Sequence, residues 1–184
     1  MQFIATLARC AEVANLPFLL IGGNAVIAYG YPRSTVDIDF LVRESDRRAW
    51  DELLVGLGYR VHQIQRAFHM YNHADRTHPP VDLMLVDAAT FTKLSTDSTS
   101  VAFAELSVQI PALPHLIALK LHAIRQAGEH RLERDWGDVA SLIQINKVNL
   151  AAPPYPEIVG RYANAAARER LDRLTLGSEP PGAR

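Results

Sequence analysis

The stretch IGGNAVIAYGYPRSTVDIDFLV, residues 21–42, decides the fold. It places two glycines directly after an apolar run, then a short helical segment, then a second apolar run that contains Asp37 and Asp39. Side chains two residues apart on a strand project from the same face, so the two carboxylates are expected about 7 Å apart. On a partly buried face their charges would repel and lose hydration, which predicts a cation between them.

This pattern predicts a site for Mg²⁺ and a nucleoside triphosphate. Mg²⁺ prefers carboxylates together with phosphate oxygens, and two ions about 4 Å apart can hold both oxygens of an in-line phosphoryl displacement. Gly22 and Gly23 lack a Cβ, so a triphosphate could approach the backbone where the helix begins and its N–H groups favour anions. A third carboxylate is expected on a neighbouring strand. Asp82 at the start of VDLMLV is preferred over Asp87, which should cap the following helix.

The order of apolar patterns predicts a mixed α/β (α+β) fold. Strand and helix patterns mix up to about residue 112, and the pattern is wholly helical after Pro114. We therefore expect a mixed sheet flanked by helices over residues 1–112 and a helical bundle over residues 113–176. The remaining residues, 177–184, are expected to form a disordered tail.

Three local predictions follow from the same patterns. Ser45 is expected to be the N-cap of the third helix. A single strand is expected over residues 107–113, and one continuous helix from Glu157 to about Leu174.

Composition narrows the setting of the chain. Its 184 residues are 48% apolar and 21% charged, which indicates a globular chain able to bury a core. The net charge of −1 gives no overall attraction to nucleic acid, so contact with a polyanion must come from a local basic patch. One cysteine, no secretory signal and no apolar run of about 20 residues predict a cytoplasmic protein without a membrane span.

Seven residues form one spaced pattern of glycines, polar residues and carboxylates: Gly22, Gly23, Arg33, Thr35, Asp37, Asp39 and Asp82. The pattern resembles the nucleotidyltransferases of the DNA polymerase β superfamily. The resemblance implies their fold and a transfer of a nucleoside monophosphate (NMP) from an NTP to an acceptor hydroxyl. It makes Arg33 and Thr35 candidates for nucleotide contact. Arg33 could equally hold the loop before the strand by pairing with a carboxylate.

The segment LIALKLHAIRQAGEHRLERDWGDVASLI, residues 116–143, is similar to the helical part of the AbiEii-like toxins within that superfamily. The similarity implies that Lys120 binds the nucleotide's phosphates and that Asp135 lies close to the reacting centre. The residues alone leave alternatives open. Lys120 could be a snorkelling lysine on an apolar stripe, and Asp135 or Asp138 could be a first-turn carboxylate that favours the helix dipole.

The acceptor of the transfer stays open at this point. The toxin resemblance implies RNA, such as a tRNA 3′ end, and an antitoxin protein as a partner; an aminoglycoside is the rival acceptor. A catalytically silent nucleotide-binding module is a further alternative, disfavoured because the carboxylates are present. A patch that could bind a polyanion is predicted from four basic residues: Lys120, Arg125, Arg131 and Arg134. The alternative is that these residues belong to an ordinary solvated helix pair.

Overall fold

The structure is a computed structural model that describes residues 2–103, 105–126 and 129–176, without the side chains of residues 129–131 and 176. The predicted tail, residues 177–184, lies outside the described residues. The described chain is a mixed α/β fold, which confirms the predicted fold class. It divides into two compact units, the first containing Pro32–Ala112 and the segment up to Ala28, the second containing Tyr29–Tyr31 and the chain from Leu113.

A five-stranded mixed sheet forms the centre of the first unit. Its strands are β1 (Leu19–Leu20), β2 (Ile38–Arg43), β3 (Tyr59–Ile64), β4 (Phe68–His73) and β5 (Val81–Val86). They lie in the order β1-β2-β5-β4-β3, in which β2 and β5 run parallel and the other neighbours run antiparallel. The parallel pair is central, so the residues that begin β2 and β5 meet at one edge of the sheet.

In the described part of the first unit, four α-helices and a hairpin accompany the sheet. The helices are α1 (Gln2–Val13), α2 (Gly22–Ala28), α3 (Arg47–Gly56) and α4 (Ala88–Thr96). Phe40 of β2 packs against Trp50 of α3 with ring centroids 5.6 Å apart, and both side chains are fully buried. This aromatic contact packs α3 against the sheet.

One local prediction for this unit was wrong, and one strand was not predicted. Ser45 lies in a short 3-10 turn and does not cap α3; Asp46 precedes that helix, and its carboxylate is engaged by Arg43 Nε at 2.6 Å. The strand expected over residues 107–113 is β7 (Leu106–Ile110), and it pairs antiparallel with an unpredicted strand, β6 (Thr99–Phe103).

The second unit is helical. Its helices are α5 (Leu113–Gln126), α6 (Glu129–Ile145), α7 (Tyr155–Tyr162) and α8 (Ala165–Leu176). The predicted continuous helix over residues 157–174 is therefore interrupted. Ala163 adopts an extended conformation, and Asn164 Oδ1 accepts the Ala167 N–H at 2.8 Å, which starts a new helix. No helix among the described residues is long and apolar enough to cross a membrane.

Candidate active site

Asp39 and Asp82 lie directly opposite each other on the parallel strands β2 and β5. Neighbouring strands are about 4.8 Å apart, so the two carboxylates leave the sheet from adjacent backbone positions. Both residues are half-buried. Along β5, Leu83 is buried while Met84 is half-exposed like Asp82, so Asp82 lies on the open side of the strand. The predicted strand over VDLMLV, next to the strand of Asp39, is confirmed.

Asp87 at the far end of β5 is occupied by the next helix. Its Oδ1 accepts the Thr90 N–H at 2.7 Å, and its Oδ2 accepts the Thr90 hydroxyl at 3.2 Å. These bonds to Thr90, with the backbone N–H first, hold the pKa of the Asp87 carboxyl below its usual value. The predicted N-cap is confirmed, and the cap turns this carboxylate toward α4.

Gly22 packs its backbone against the Asp39 carboxylate. The Ile21 N–H donates to the Asp39 carbonyl at 2.9 Å, which brings the chain between β1 and α2 alongside β2. Gly22 has a φ of +61°, and a Cβ at this position would lie 1.9 Å from Asp39 Oδ2. Both the backbone conformation and the space beside Asp39 therefore require glycine.

Gly23 meets the two polar residues of the loop before β2. A Cβ on Gly23 would lie 2.6 Å from both Thr35 Oγ1 and Arg33 Nη2. The next residue, Asn24, donates its side-chain N–H to the Asp37 carbonyl at 3.0 Å. The start of α2 thus packs against the loop over residues 33–37. This packing requires glycine at position 23, whether or not a phosphate binds there.

Asp37 lies one residue before the first residue of β2 and is half-buried. Together with Asn24 and Thr35 it lines a cavity of 330 Å³, which Arg76 and His78 from the loop before β5 also line. The sequence pattern predicts a strand over residues 36–42 that includes Asp37, but β2 begins at Ile38, so Asp37 belongs to the loop before it. The structure brings most of the first unit's predicted site residues into one local arrangement: Gly22, Gly23, Arg33, Thr35, Asp37 and Asp39. Asp82 lies opposite Asp39.

The carboxylates suit Mg²⁺ by their chemistry. Asp39 and Asp82 offer oxygen ligands from neighbouring strands, and Asp37 lies two residues from Asp39. No three His, Cys, Asp or Glu side chains within the described ranges already converge on one point as a metal-binding group. Mg²⁺ is commonly held by only one or two carboxylates plus substrate phosphates and water, so a convergent protein cage is not required. The donor set fits a metal bound together with its nucleotide.

Lys120 in the second unit is buried between two carboxylates. Its Nζ lies 2.9 Å from Asp135 Oδ1 and 2.7 Å from Asp138 Oδ2. Lys120 is 8% exposed, and Asp135 and Asp138 are 2% and 1% exposed. The alternative of a snorkelling lysine is wrong, because the ammonium lies inside the unit.

The position of α6 also corrects the reading of its carboxylates. The helix begins at Glu129, so Asp135 and Asp138 lie in its interior and are not first-turn residues. The predicted polyanion patch changes as well. Lys120 is buried, Arg125 and Arg134 are exposed, and the side chain of Arg131 lies outside the described residues.

Comparison with known proteins identifies the family. A model of the family described as nucleotidyl transferase AbiEii toxin, type IV toxin–antitoxin system, matches residues 6–180. The chain belongs to this family. It is accordingly a nucleotidyltransferase enzyme, as the sequence predicted. No curated protein sequence matches this AbiEii-family chain.

Solved structures share the fold of this AbiEii-family enzyme. The antibiotic-resistance factor ANT(2'')-Ia is 17% identical, with a TM-score of 0.64 over 96% of this chain and 95% of its own. A nucleotidyltransferase-like protein from Paracoccidioides brasiliensis is 18% identical, with a TM-score of 0.59 over 96% and 87%. The lincosamide adenylyltransferase LnuA is 13% identical, with a TM-score of 0.58 over 78% and 96%. At these identities the likeness establishes the fold alone.

Two features of the site were missed by sequence reasoning. The bond from Asn24 to the Asp37 carbonyl had a signal, because Asn directly follows the glycine pair and precedes the carboxylates by a fixed distance. The pairing of Lys120 with both Asp135 and Asp138 had no signal in the sequence, because it depends on how α5 and α6 pack.

Proposed function

We propose that the enzyme transfers an NMP group from an NTP to an acceptor hydroxyl, with Mg²⁺ and with release of pyrophosphate. The observation that supports this best is the placement of Asp82 opposite Asp39, with the backbone of Gly22 against the Asp39 carboxylate. Carboxylates from adjacent strands provide ligands for a metal, and the backbone N–H groups where α2 begins favour a phosphate beside it.

Asp37, Asp39 and Asp82 would hold the metal, two ions in our proposal. When bound, Mg²⁺ supplies charge neutralisation and orientation of the phosphate oxygens. The acceptor oxygen forms a bond to the α-phosphorus while the bond to the bridging oxygen of the β-phosphate breaks, and pyrophosphate leaves. Asp82 orients the acceptor hydroxyl or receives its proton. Such a transfer depends mainly on positioning and electrostatics, so a small set of residues suffices.

The triphosphate is assigned to the glycine pair and the loop beside it. Arg33 and Thr35 lie against Gly23, where they can contact a phosphate bound at the start of α2. In the second unit Lys120 is the proposed phosphate ligand, and Asp135 the proposed acidic residue near the reacting centre. For Lys120 this role requires that its ammonium exchange a carboxylate partner for a phosphate, which stays a prediction.

We propose RNA as the acceptor, such as a tRNA 3′ end, an antitoxin protein as a partner, and the cytoplasm as the location of the enzyme. The match of residues 6–180 to the AbiEii toxin family supports this choice. An aminoglycoside is the second candidate acceptor. The similarity in fold to ANT(2'')-Ia, a protein also solved in complex with adenylyl-2''-tobramycin, favours that candidate.

One experiment separates these functions. The enzyme is incubated with Mg²⁺ and each NTP labelled at the α-phosphate, together with total RNA and a panel of aminoglycosides. We expect label in RNA with the parent and none with Asp39→Asn. Label in an aminoglycoside would select the second candidate. Label in neither acceptor, with any NTP, would contradict the proposed function.

A further inference from the structure

Three arginine side chains gather at the C-terminal end of α7. Arg125 Nη1, from α5, donates to the Arg161 carbonyl at 3.3 Å. Arg168, from α8, donates from Nε to the Ala163 carbonyl at 3.1 Å and from Nη2 to the Gly160 carbonyl at 2.7 Å. Arg161 itself lies in the last turn of α7. Three helices thus bring arginines to a single helical turn.

These three residues, which we term the arginine cluster, form no ion pair among the described residues. Arg125, Arg161 and Arg168 are all exposed, and within the described part of the chain none has a carboxylate oxygen within 4.0 Å. Each guanidinium has five N–H donors, so the bonds to the carbonyls leave several donors unused on every member. The cluster can therefore accept an anion without losing its internal bonds.

Aromatic rings lie beside the arginine cluster. The Arg161 guanidinium is 5.8 Å from the centre of the Tyr162 ring, and the His122 ring meets Tyr162 edge-on with centroids 6.2 Å apart. Exposed arginines next to aromatic rings are typical of surfaces that bind single-stranded nucleic acid.

We infer that the arginine cluster binds the phosphodiester backbone of an RNA. This inference deepens the proposed function, because it rests on a nucleotidyltransferase whose acceptor is RNA. The carbonyls of α7 hold two of the guanidiniums in place, so less side-chain entropy is lost when a phosphate binds. A cationic aminoglycoside would be repelled by the same surface. The chain's net charge of −1 leaves the attraction local to the cluster.

RNA binding by Arg161→Gln tests the inference. Arg161 is the member to change first, because its side chain makes no hydrogen bond among the described residues, so the substitution should leave α7 intact. The matched control is Arg173→Gln on α8, which removes the same charge from an exposed residue paired with Glu169 at 3.2 Å. Fluorescence anisotropy with a labelled single-stranded RNA and with a tRNA measures Kd at several salt concentrations.

We expect Arg161→Gln to weaken RNA binding about tenfold, as for loss of a charged hydrogen bond. The slope of log K against log salt should become shallower by about 0.7 for a single-stranded RNA, the value for one lost phosphate contact. Arg173→Gln should match the parent in both measures. Equal Kd values and slopes for Arg161→Gln and the parent would overturn the inference, as would competition by inorganic pyrophosphate as effective as that by RNA.

Arg125→Gln is the second variant, since Arg125 contributes one bond of 3.3 Å to the fold and a full positive charge to the cluster. It should reproduce the loss of RNA affinity with an unchanged melting temperature.

The proposed nucleotidyl transfer and the proposed RNA binding by the arginine cluster fail in different ways. If the parent labels aminoglycosides but binds no RNA, the inference is wrong while nucleotidyl transfer stands. If the parent transfers no nucleotide, but Arg161→Gln binds RNA more weakly than the parent does, the proposed nucleotidyl transfer is wrong and the cluster still binds RNA.

Discussion

Asp39 lies directly opposite Asp82 in the parallel pair of β2 and β5. This relationship follows from the same alternation at the start of both strands, because Ile38 and Phe40 flank Asp39 with buried side chains just as Val81 and Leu83 flank Asp82. The buried neighbours fix which face each carboxylate takes, since a shift by one residue would bury both charges. The carboxylate pair is therefore held by the core of the sheet.

Gly23→Ala should destabilise the first unit. Its Cβ would lie 2.8 Å from Thr35 Cβ and 2.6 Å from Arg33 Nη2, so the loop before β2 would have to move. We expect a loss of about 1–3 kcal/mol, the range for overpacking. Urea denaturation measures it.

The matched control for this substitution is Gly160→Ala. Gly160 also lies in a helix, and a Cβ there would meet nothing within 4 Å. We expect it to stabilise the protein by up to about 1 kcal/mol through helix propensity. Equal effects of the two substitutions would mean that Gly23 does not pack against Thr35 and Arg33.

Lys120→Ala should destabilise the second unit, because Asp135 and Asp138 would lose the buried ammonium that lies between them. We expect a loss of about 3–5 kcal/mol, as for breaking a buried ion pair from one side. Adding Asp138→Asn to the variant should recover part of this loss, since one uncompensated charge disappears. Thermal unfolding of the single and double variants measures both effects, and a fully stable Lys120→Ala protein would contradict the buried cluster.

The phosphate role of Lys120 requires a separate measurement. At a temperature where all proteins are folded, a non-hydrolysable NTP is titrated against the parent, Lys120→Ala and Lys120→Arg. A phosphate ligand needs charge at that reach, so the alanine variant should lose much more affinity than the arginine variant. Unchanged affinity in Lys120→Ala would limit this lysine to stabilising the fold.

The Asp87 cap makes a pH-dependent contribution to stability. Its pKa in the folded protein is lowered from 3.8 by the bonds from Thr90, so the contribution is present above pH 3.8 and is lost as the pH falls through the folded value. Asp87→Ala should lower the melting temperature by roughly 2–4 °C at neutral pH. The difference from the parent should be constant from pH 5 to 8 and shrink below pH 3.8. A difference that grows in acid would contradict the cap.

Sequence patterns predicted the parts of the fold that apolar side chains determine. Strand β5 alternates buried and half-exposed residues, so its existence, the face that Asp82 takes and its end before Asp87 could all be predicted from VDLMLVD. Strand β6 could not, because TSVAF is mostly exposed and its structure comes from pairing with β7. The break between α7 and α8 depends on one side chain, Asn164, within a pattern that otherwise suits a helix.

The candidate site also contains residues that the sequence predicts and contacts that it does not. Asp39 and Asp82 could be predicted because a strand fixes the direction of each side chain. The Asn24 bond to the Asp37 carbonyl and the burial of Lys120 depend on tertiary contacts, which spacing along the chain does not encode. The arginine cluster was missed for this reason, since Arg125 meets the Arg161 carbonyl across 36 positions in sequence.

The most direct test of the account is nucleotidyl transfer by Asp39→Asn and Asp82→Asn, with Asp87→Asn as the matched control. Asparagine keeps the shape of each side chain and removes its charge, so melting temperatures should stay close to that of the parent. With an NTP labelled at the α-phosphate, Mg²⁺ and total RNA, we predict a loss of at least about a hundredfold for Asp39→Asn and for Asp82→Asn. Asp87→Asn should transfer at the parent rate, because asparagine also caps a helix. Near-normal transfer by a folded Asp39→Asn or Asp82→Asn protein would contradict the central claim.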